Sequence, residues 1–400
     1  MIEAGVGVST AKDASTAGKE AVEKALHHLG KSPNCMLIFA SPIYQQKELL
    51  NTITGITKDI PFIGGTTAGE ISTWGVSDDS VVVLALHSKT TSFSLSIEPH
   101  LKRGEFKAGR QLALSLQKKL KGKKPSTLLI FPGGKAGNLS ELIKGTKSAL
   151  GETFPIFGGA MGDRADFKKT YQYYNGKVYE DSVVGLLLTG NVITASGINS
   201  GWKSIGNKMK VTESKSNSLF ELDGVPALEI YKKLLGKELA SKLPTSGWEY
   251  PFCLADRKIQ INQKDSFTPF RAPVSIHPEQ NSIIFGSPIH ENTSVTVATA
   301  SRNDVIESAA QAAEQARAVL GKSKPSFILF FSSFGSKCVM GGRSQEAVTT
   351  VQNILGRDIP LAGFFTYGEI APLDKSSKDK KIASSHYHNQ TNLIVIFGEK

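Results

Sequence analysis

The chain has 400 residues, 40% hydrophobic and 21% charged, with 47 Lys and Arg against 36 Asp and Glu and hence a net charge of +11. That apolar content fills a sizeable core and sets aside disordered, collagen-like and disulfide-scaffold classes. The basic excess invites nucleic acid as a partner, but the lysines are dispersed and no recognition helix, zinc finger or stacking-aromatic pattern accompanies them, so none is expected.

Residues 1–13 lack a basic segment leading into a long apolar one, so they do not read as a signal peptide. No window reaches the roughly 18 apolar residues of a membrane span. Cys35, Cys253 and Cys338 are sparse and far apart, which suits a reducing compartment. A cytoplasmic chain with no membrane partner is expected.

A repeat then organises the chain. Val22, Ala25, Leu26 and Leu29 predict a helix closed by Gly30. A continuous apolar strand follows Pro33, then an amphipathic segment with Leu49, Ile53 and Ile56, then the glycine-rich turn from Pro61 to Ile71, then a β-rich strand after Ser80. The second copy reads Leu112, Leu116 and Leu120, a lysine run (Lys118, Lys119, Lys121, Lys123, Lys124) at the helix end, and a strand from Pro125. A helix capped by Asn138, with Glu141 three residues on, leads to the turn Gly158, Gly159, Gly162, Asp163 and the strand after Ser182. The third copy has Val305, Ala309, Ala312, Ala316 and Leu320 closed by Gly321, a strand from Pro325, a helix with Val348, Val351 and Leu355, the turn from Pro360 to Ile370, and the strand after Thr391. The surplus, roughly 191–300, is either a diverged fourth copy or an insertion. The expected fold is α/β: pseudo-repeated βαβαββ units forming mixed sheets flanked by helices in two lobes, residues 1–190 with two units and 191–400 with the diverged segment and the third.

The turns hold the candidate site. Gly64, Gly65, Thr66 and Gly368 follow the carboxyl ends of predicted strands, where open α/β sheets bind ligands. Glycine there brings backbone N–H groups to an anion or, as the plainer reading, lets two chain segments pack closely. Glu70 and Glu369 could receive an ammonium group; brought into one cleft they could instead act as acid and base. Arg271, in the stretch from Phe267 to Pro273, and Arg343, ending the loop that begins at Ser332, are candidates for a bidentate pair with a ligand carboxylate. Cys338 reads as an inert thiol. His386 and His388 face one way on a strand but lack a third ligand, so no metal is expected. No P-loop, dinucleotide fingerprint or Gly-x-Ser-x-Gly elbow occurs, so neither cofactor nor hydrolase triad is expected.

These residues resemble the FIST domains. Val6–Thr10, Pro61–Ile71 and Asp79–His87 resemble the N-terminal FIST domain; Leu222–Gly236, Phe270–Pro273, Pro360–Pro372 and His388–Thr391 resemble the C-terminal one. The resemblance covers essentially the whole chain. It implies a stand-alone, non-enzymatic intracellular sensor that binds a small polar ligand, an amino acid or small carboxylate, and signals to a protein partner. Tyr367, Gly368, Glu369 and Asn389 fall in its most specific stretches. Where the family often shows Cys-x-Gly-Arg after the third strand, this sequence reads Ser333-Phe334-Gly335-Ser336, so an arginine contact there is lost or replaced by Arg343.

Overall fold

Three runs of alternating strands and helices follow one another in the computed structural model, which describes residues 2–120, 122–135, 137–260, 266–377 and 380–399. Lys121 of the lysine run and the side chain of Phe267 lie outside the described residues. Unit 1 is β1 (Glu3–Ser9), α1 (Ala14–Leu29), β2 (Cys35–Ala40), α2 (Gln46–Thr57), β3 (Phe62–Thr66), β4 (Glu70–Ser72), β5 (Gly75–Ser77) and β6 (Val81–His87). Unit 2 is β7 (Ser92–Pro99), α3 (Glu105–Lys118), β8 (Pro125–Pro132), α4 (Leu139–Leu150), β9 (Ile156–Gly159), β10 (Tyr171–Tyr174), β11 (Lys177–Glu180) and β12 (Ser182–Thr189). Unit 3 opens with β13 (Val192–Asn199). Its second part is α6 (Arg302–Leu320), β24 (Pro325–Ser333), α7 (Phe334–Met340), α8 (Ser344–Leu355), β25 (Leu361–Thr366), β26 (Glu369–Ser377), β27 (Lys380–His388) and β28 (Asn392–Glu399).

Between β13 and α6 lies β14 (Lys203–Lys215), β15 (Ser218–Leu222), β16 (Val225–Pro226), α5 (Ala227–Ala240), β17 (Phe252–Leu254), β18 (Ile259–Gln260), β19 (Ser266–Phe267), β20 (Phe270–Arg271), β21 (Pro273–His277), β22 (Ser282–Phe285) and β23 (Ser294–Thr299). This surplus is therefore an insertion in unit 3 and not a fourth copy. Most of its strands form one antiparallel sheet, ordered β20-β17-β23-β14-β15-β22-β21, which makes a lobe of its own. Each unit also starts one strand earlier than its proline-led run: β1, β7 and β13 precede the first helix.

The three units make three mixed sheets: β1-β6-β2-β3-β10-β11, β7-β12-β8-β9-β26-β27 and β13-β28-β24-β25-β4-β5. Within each, the central strand is parallel to its successor (β2 to β3, β8 to β9, β24 to β25) and antiparallel to the returning strand. The last two strands of every sheet are borrowed. The hairpin of unit 2 completes sheet one, that of unit 3 completes sheet two, and that of unit 1 completes sheet three. Equivalent registers fix the exchange: Gly65 opposite Gln172, Gly159 opposite Glu369, and Phe364 opposite Glu70.

Strands buried on both faces read as unbroken apolar runs, and both faces are covered here. Inward residues of all three sheets form one core. At its middle, Phe39, Phe131 and Phe331 occupy matching positions on β2, β8 and β24, with ring centroids 5.6 Å and 5.9 Å apart in succession. Each such ring contributes about 1.5–3 kcal/mol on burial. The helices cover the outer faces. Helix α1 starts at Asp13, whose carboxylate accepts from Thr16 N–H at 2.7 Å, and stops at Gly30 in the left-handed region (φ 69°). Asn138 precedes α4 as expected, but its side chain makes no capping bond. The Glu105 carboxylate from the start of α3 reaches across instead and accepts the Asn138 N–H at 3.0 Å.

Candidate functional site

The three glycine turns meet at the carboxyl ends of the central strands and bond to one another in a cycle. Ala68 N–H donates to Phe365 O (3.2 Å), Gly162 N–H to Thr66 O (3.0 Å) and Tyr367 N–H to Ala160 O (3.0 Å). Phe365 N–H returns to Gly69 O and Ala160 N–H to Gly368 O, both at 2.8 Å. Gly69 and Gly368 N–H donate to the hydroxyls of Thr67 and Thr366. The amides of this ring are thus engaged within it. The glycines serve close approach: a Cβ at Gly64, Gly158 or Gly363 would overlap the carbonyl oxygen of Ile38, Ile130 or Phe330 on the strand beside it, one at Gly65 that of Tyr171, and one at Gly368 the Tyr387 phenol.

The acids that follow the turns close a second set of contacts. Glu70 accepts from the Thr67 hydroxyl and from Ser80 N–H (3.1 Å) and hydroxyl (2.6 Å). Glu369 accepts from the hydroxyls of Thr366 and Thr391 and from Thr391 N–H (3.2 Å). Each carboxyl therefore fastens its hairpin to the start of the returning strand. The equivalent in unit 2 is Gln172, whose Oε1 accepts from Ser182 N–H (3.1 Å) and hydroxyl (2.8 Å). Asp163 is not that counterpart. It gathers the N–H groups of Phe167, Lys168 and Lys169 and the Tyr367 hydroxyl. Burial pushes the Glu70 carboxyl up from an ordinary 4.5 to about 7, and that of Glu369 to about 8, against the pull of their hydrogen bonds. Glu70 and Glu369 share no hydrogen-bond partner among the described residues.

A third cluster lies where the inserted lobe meets the turns. Tyr367 stacks on Phe167 with centroids 4.7 Å apart and planes at 19°, and its ring lies 5.4 Å from Trp248 and 5.8 Å from Phe334. Tyr387 donates its hydroxyl to Tyr367 O at 2.6 Å, and Asn389 Nδ2 donates to the same carbonyl and to the Tyr387 hydroxyl. Beside Tyr387 sits Arg271, 7% exposed on β20. Its Nη1 donates to Phe270 O (2.8 Å) and its Nε to Pro288 O (3.3 Å). Among the described residues no carboxylate pairs with this guanidinium and Nη2 has no acceptor. Burial lowers its pKa to about 10, so it stays charged at neutral pH. Trp248 Nε1, Ser336 Oγ and Asn389 Oδ1 are buried nearby without a hydrogen-bond partner among the described residues.

Of the residues singled out by the sequence, Arg271, Tyr367, Gly368 and Asn389 come together here, and Glu369 is fastened one residue from Gly368. Gly64, Gly65, Thr66 and Glu70 belong to the unit 1 side of the turn ring. Arg343 is on the surface, forked onto Glu346 at 2.6 Å and 2.7 Å and bonded to Asn303. Trp248, Phe167, Tyr387 and Gln172 were not anticipated. Only Gln172 had a readable signal: it stands ten residues before Ser182, as Glu70 stands ten before Ser80. His388 is buried, its ring held neutral by burial with a pKa near 3, and its Nε2 lies 3.2 Å from Ala371 O.

The FIST N domain matches residues 34–225 and the FIST C domain residues 227–372. This chain belongs to the FIST family. FIST domains are small-ligand sensor domains of signalling proteins. An uncharacterized protein of Methanocaldococcus jannaschii is 25% identical over 57% of this FIST chain and 45% of its own length, so the chain spans about half of that relative. An uncharacterized protein of Mycobacterium tuberculosis is 24% identical over 92% of this chain and 94% of its own. Among solved structures, a cyanuric acid hydrolase from A. caulinodans aligns with 100% of the chain and 99% of its own at 6% identity and a TM-score of 0.40. A chorismatase aligns with 100% and 98% at 7% and 0.36. The expectation of a non-enzymatic protein is corrected at this point. The cyanuric acid hydrolase and the chorismatase, which align along the whole FIST chain, are enzymes, so non-enzymatic character is not retained. At these identities and TM-scores they lend it no reaction and no substrate. Among the described residues no helix is long and apolar enough to cross a membrane.

Proposed function

We propose that this FIST protein is an intracellular sensor of a small anionic metabolite, an amino acid or other small carboxylate, held at the junction between the inserted lobe and the turn ring. The observation that carries the reading is Arg271. A guanidinium removed from water without an opposing charge is costly, and such groups are retained where a partner arrives. Among the described residues nothing accepts from Arg271 Nη2, which leaves it to complete a bidentate pair with a carboxylate. Asn389 Oδ1 is the acceptor best suited to an ammonium group, because both oxygens of Glu369 are already engaged in hydrogen bonds. A ligand bridging Arg271 on the insertion and Asn389 on the body favours one arrangement of the two lobes, and that preference is the signal a protein partner reads.

Thermal unfolding across a panel of amino acids and small dicarboxylates tests this. A ligand at 100 times its Kd adds about 2.7 kcal/mol to stability. The gain is expected to vanish in Arg271→Gln, with circular dichroism confirming the fold. A ligand whose stabilisation survives that change refutes the assignment.

A further inference from the structure

The space beside the anion site is filled by the chain itself. Units 1 and 3 pass from turn to hairpin in two residues, Ala68 to Glu70 and Tyr367 to Glu369, whereas unit 2 takes ten, Gly162 to Gln172. The added loop is strained. Arg164 (φ 59°), Ala165 (φ 73°) and Phe167 (φ 48°) all occupy the left-handed region that such side chains disfavour. Asp163 holds the loop in place by accepting three of its N–H groups. What the strain achieves is the placement of one ring. Phe167 lies nearly parallel to Tyr367 (19°) and to Trp248 (26°), with Phe334 edge-on at 76°.

We propose that the Asp163–Thr170 loop is a plug, that the Phe167 ring occupies the seat of a planar ring in the ligand, and that the ligand is a heteroaromatic anion. The inference rests on the Arg271 reading and adds the ring to it. The residues that hold the ring carry or adjoin three polar atoms without a partner among the described residues, and a phenyl ring satisfies none of them: Trp248 Nε1, Ser336 Oγ two residues beyond Phe334, and Asn389 Oδ1, whose amide bonds Tyr367 O. Buried groups left in that state are unfavourable. A ring with donors and acceptors on its edge stacks on Tyr367 as Phe167 does and pairs with all three, while its anionic substituent reaches Arg271. Phe167 then swings out and the loop relaxes.

The probes are orotate and indole-3-carboxylate, which join a planar ring to a carboxylate, and succinate, which has no ring. Affinities are measured by calorimetry for the wild type, Phe167→Gly, Asp163→Asn and Arg271→Gln. Glycine suits the φ of position 167, and Asp163→Asn loosens the loop by a separate route. A site open only a tenth of the time binds about tenfold more weakly than an open one. Both loop variants are therefore expected to bind the ring probes about tenfold more tightly or better, with succinate unchanged. Unchanged or weaker binding of the ring probes in both variants overturns the plug. An equal gain for succinate overturns the ring seat and leaves the carboxylate reading standing. Tight binding that persists in Arg271→Gln overturns the carboxylate reading itself.

Discussion

Glu369→Gln probes whether the acid behind the third turn is neutral in the folded protein. The carboxyl is wholly buried and titrates at about 8, against 4.5 for the free side chain. Between those values the unfolded chain gives up the proton and the native protein keeps it. The native state then binds more protons, so stability is fully present below 4.5 and falls as pH rises towards 8. At about 1.4 kcal/mol per pH unit the loss across that window is about 5 kcal/mol. Glutamine has the shape of the protonated acid. Its Oε1 still accepts from Thr391 N–H and hydroxyl, and its Nε2 donates to the Thr366 hydroxyl. Urea unfolding at pH 5, 6, 7 and 8, with unchanged m-values, reads the outcome. The variant is expected to lie within about 1 kcal/mol of the wild type at pH 5 and to exceed it by about 3 kcal/mol or more at pH 8. Its remaining slope comes from Glu70, which titrates at about 7 and loses stability over the same direction of pH, and from buried His388, held neutral down to about 3, which gains stability as pH rises towards the 6.5 of a free imidazole; both act alike in variant and wild type, so the difference between the two reads Glu369. A constant difference between variant and wild type at every pH would refute the reasoning, because the carboxyl would then be ionised in the fold.

Gln172→Glu should install the missing third acid: stability close to wild type at pH 5, and below it above pH 7, where Ser182 and its neighbours would have to house a buried charge. Gly363→Ala forces a methyl group into the Phe330 carbonyl and is expected to cost about 3 kcal/mol or more, or to prevent folding, in the same urea assay. Gly55→Ala, in the last turn of α2 with open space around it, is expected to add about 0.5 kcal/mol; equal effects for the two glycines would show that close approach is not what the turn glycines provide.

The repeat was legible because its causes are local. Apolar runs after Pro33, Pro125 and Pro325, helical spacing, and Gly30 and Gly321 at helix ends all act within a few residues. The exchange of hairpins was not legible, since β4 pairs with β25 across some three hundred residues and nothing in either strand names its partner. The glycine turns were correctly located. Their amides point at each other, however, and that follows only from assembling three turns at one place. The added loop in unit 2 shifted Gln172 away from the turn, so Asp163 stood beside the glycines in its stead. Arg271 was picked out by residue type and by its motif; its burial without a carboxylate depends on a fold that only the insertion supplies. Arg343, equally plausible as a residue, has Glu346 three positions on, the spacing of a helical surface pair.

The trading of hairpins also sets a timetable for synthesis. Strand β4 leaves the ribosome near residue 72, and the edge it pairs with, β25, begins at Leu361. At ~5–20 residues per second the hairpin waits ~15–60 s with its hydrogen-bonding edge open. Sheet one is short of its last two strands until unit 2 emerges, and sheet two until β26 and β27 of unit 3 follow. No copy can therefore finish folding alone, and residues 34–225 and 227–372 are stretches of sequence likeness and not bodies that would close separately. Each copy gives one hairpin and receives one, so the exchange balances by itself; what favours three is the common core, in which Phe39, Phe131 and Phe331 pack in succession between the three sheets.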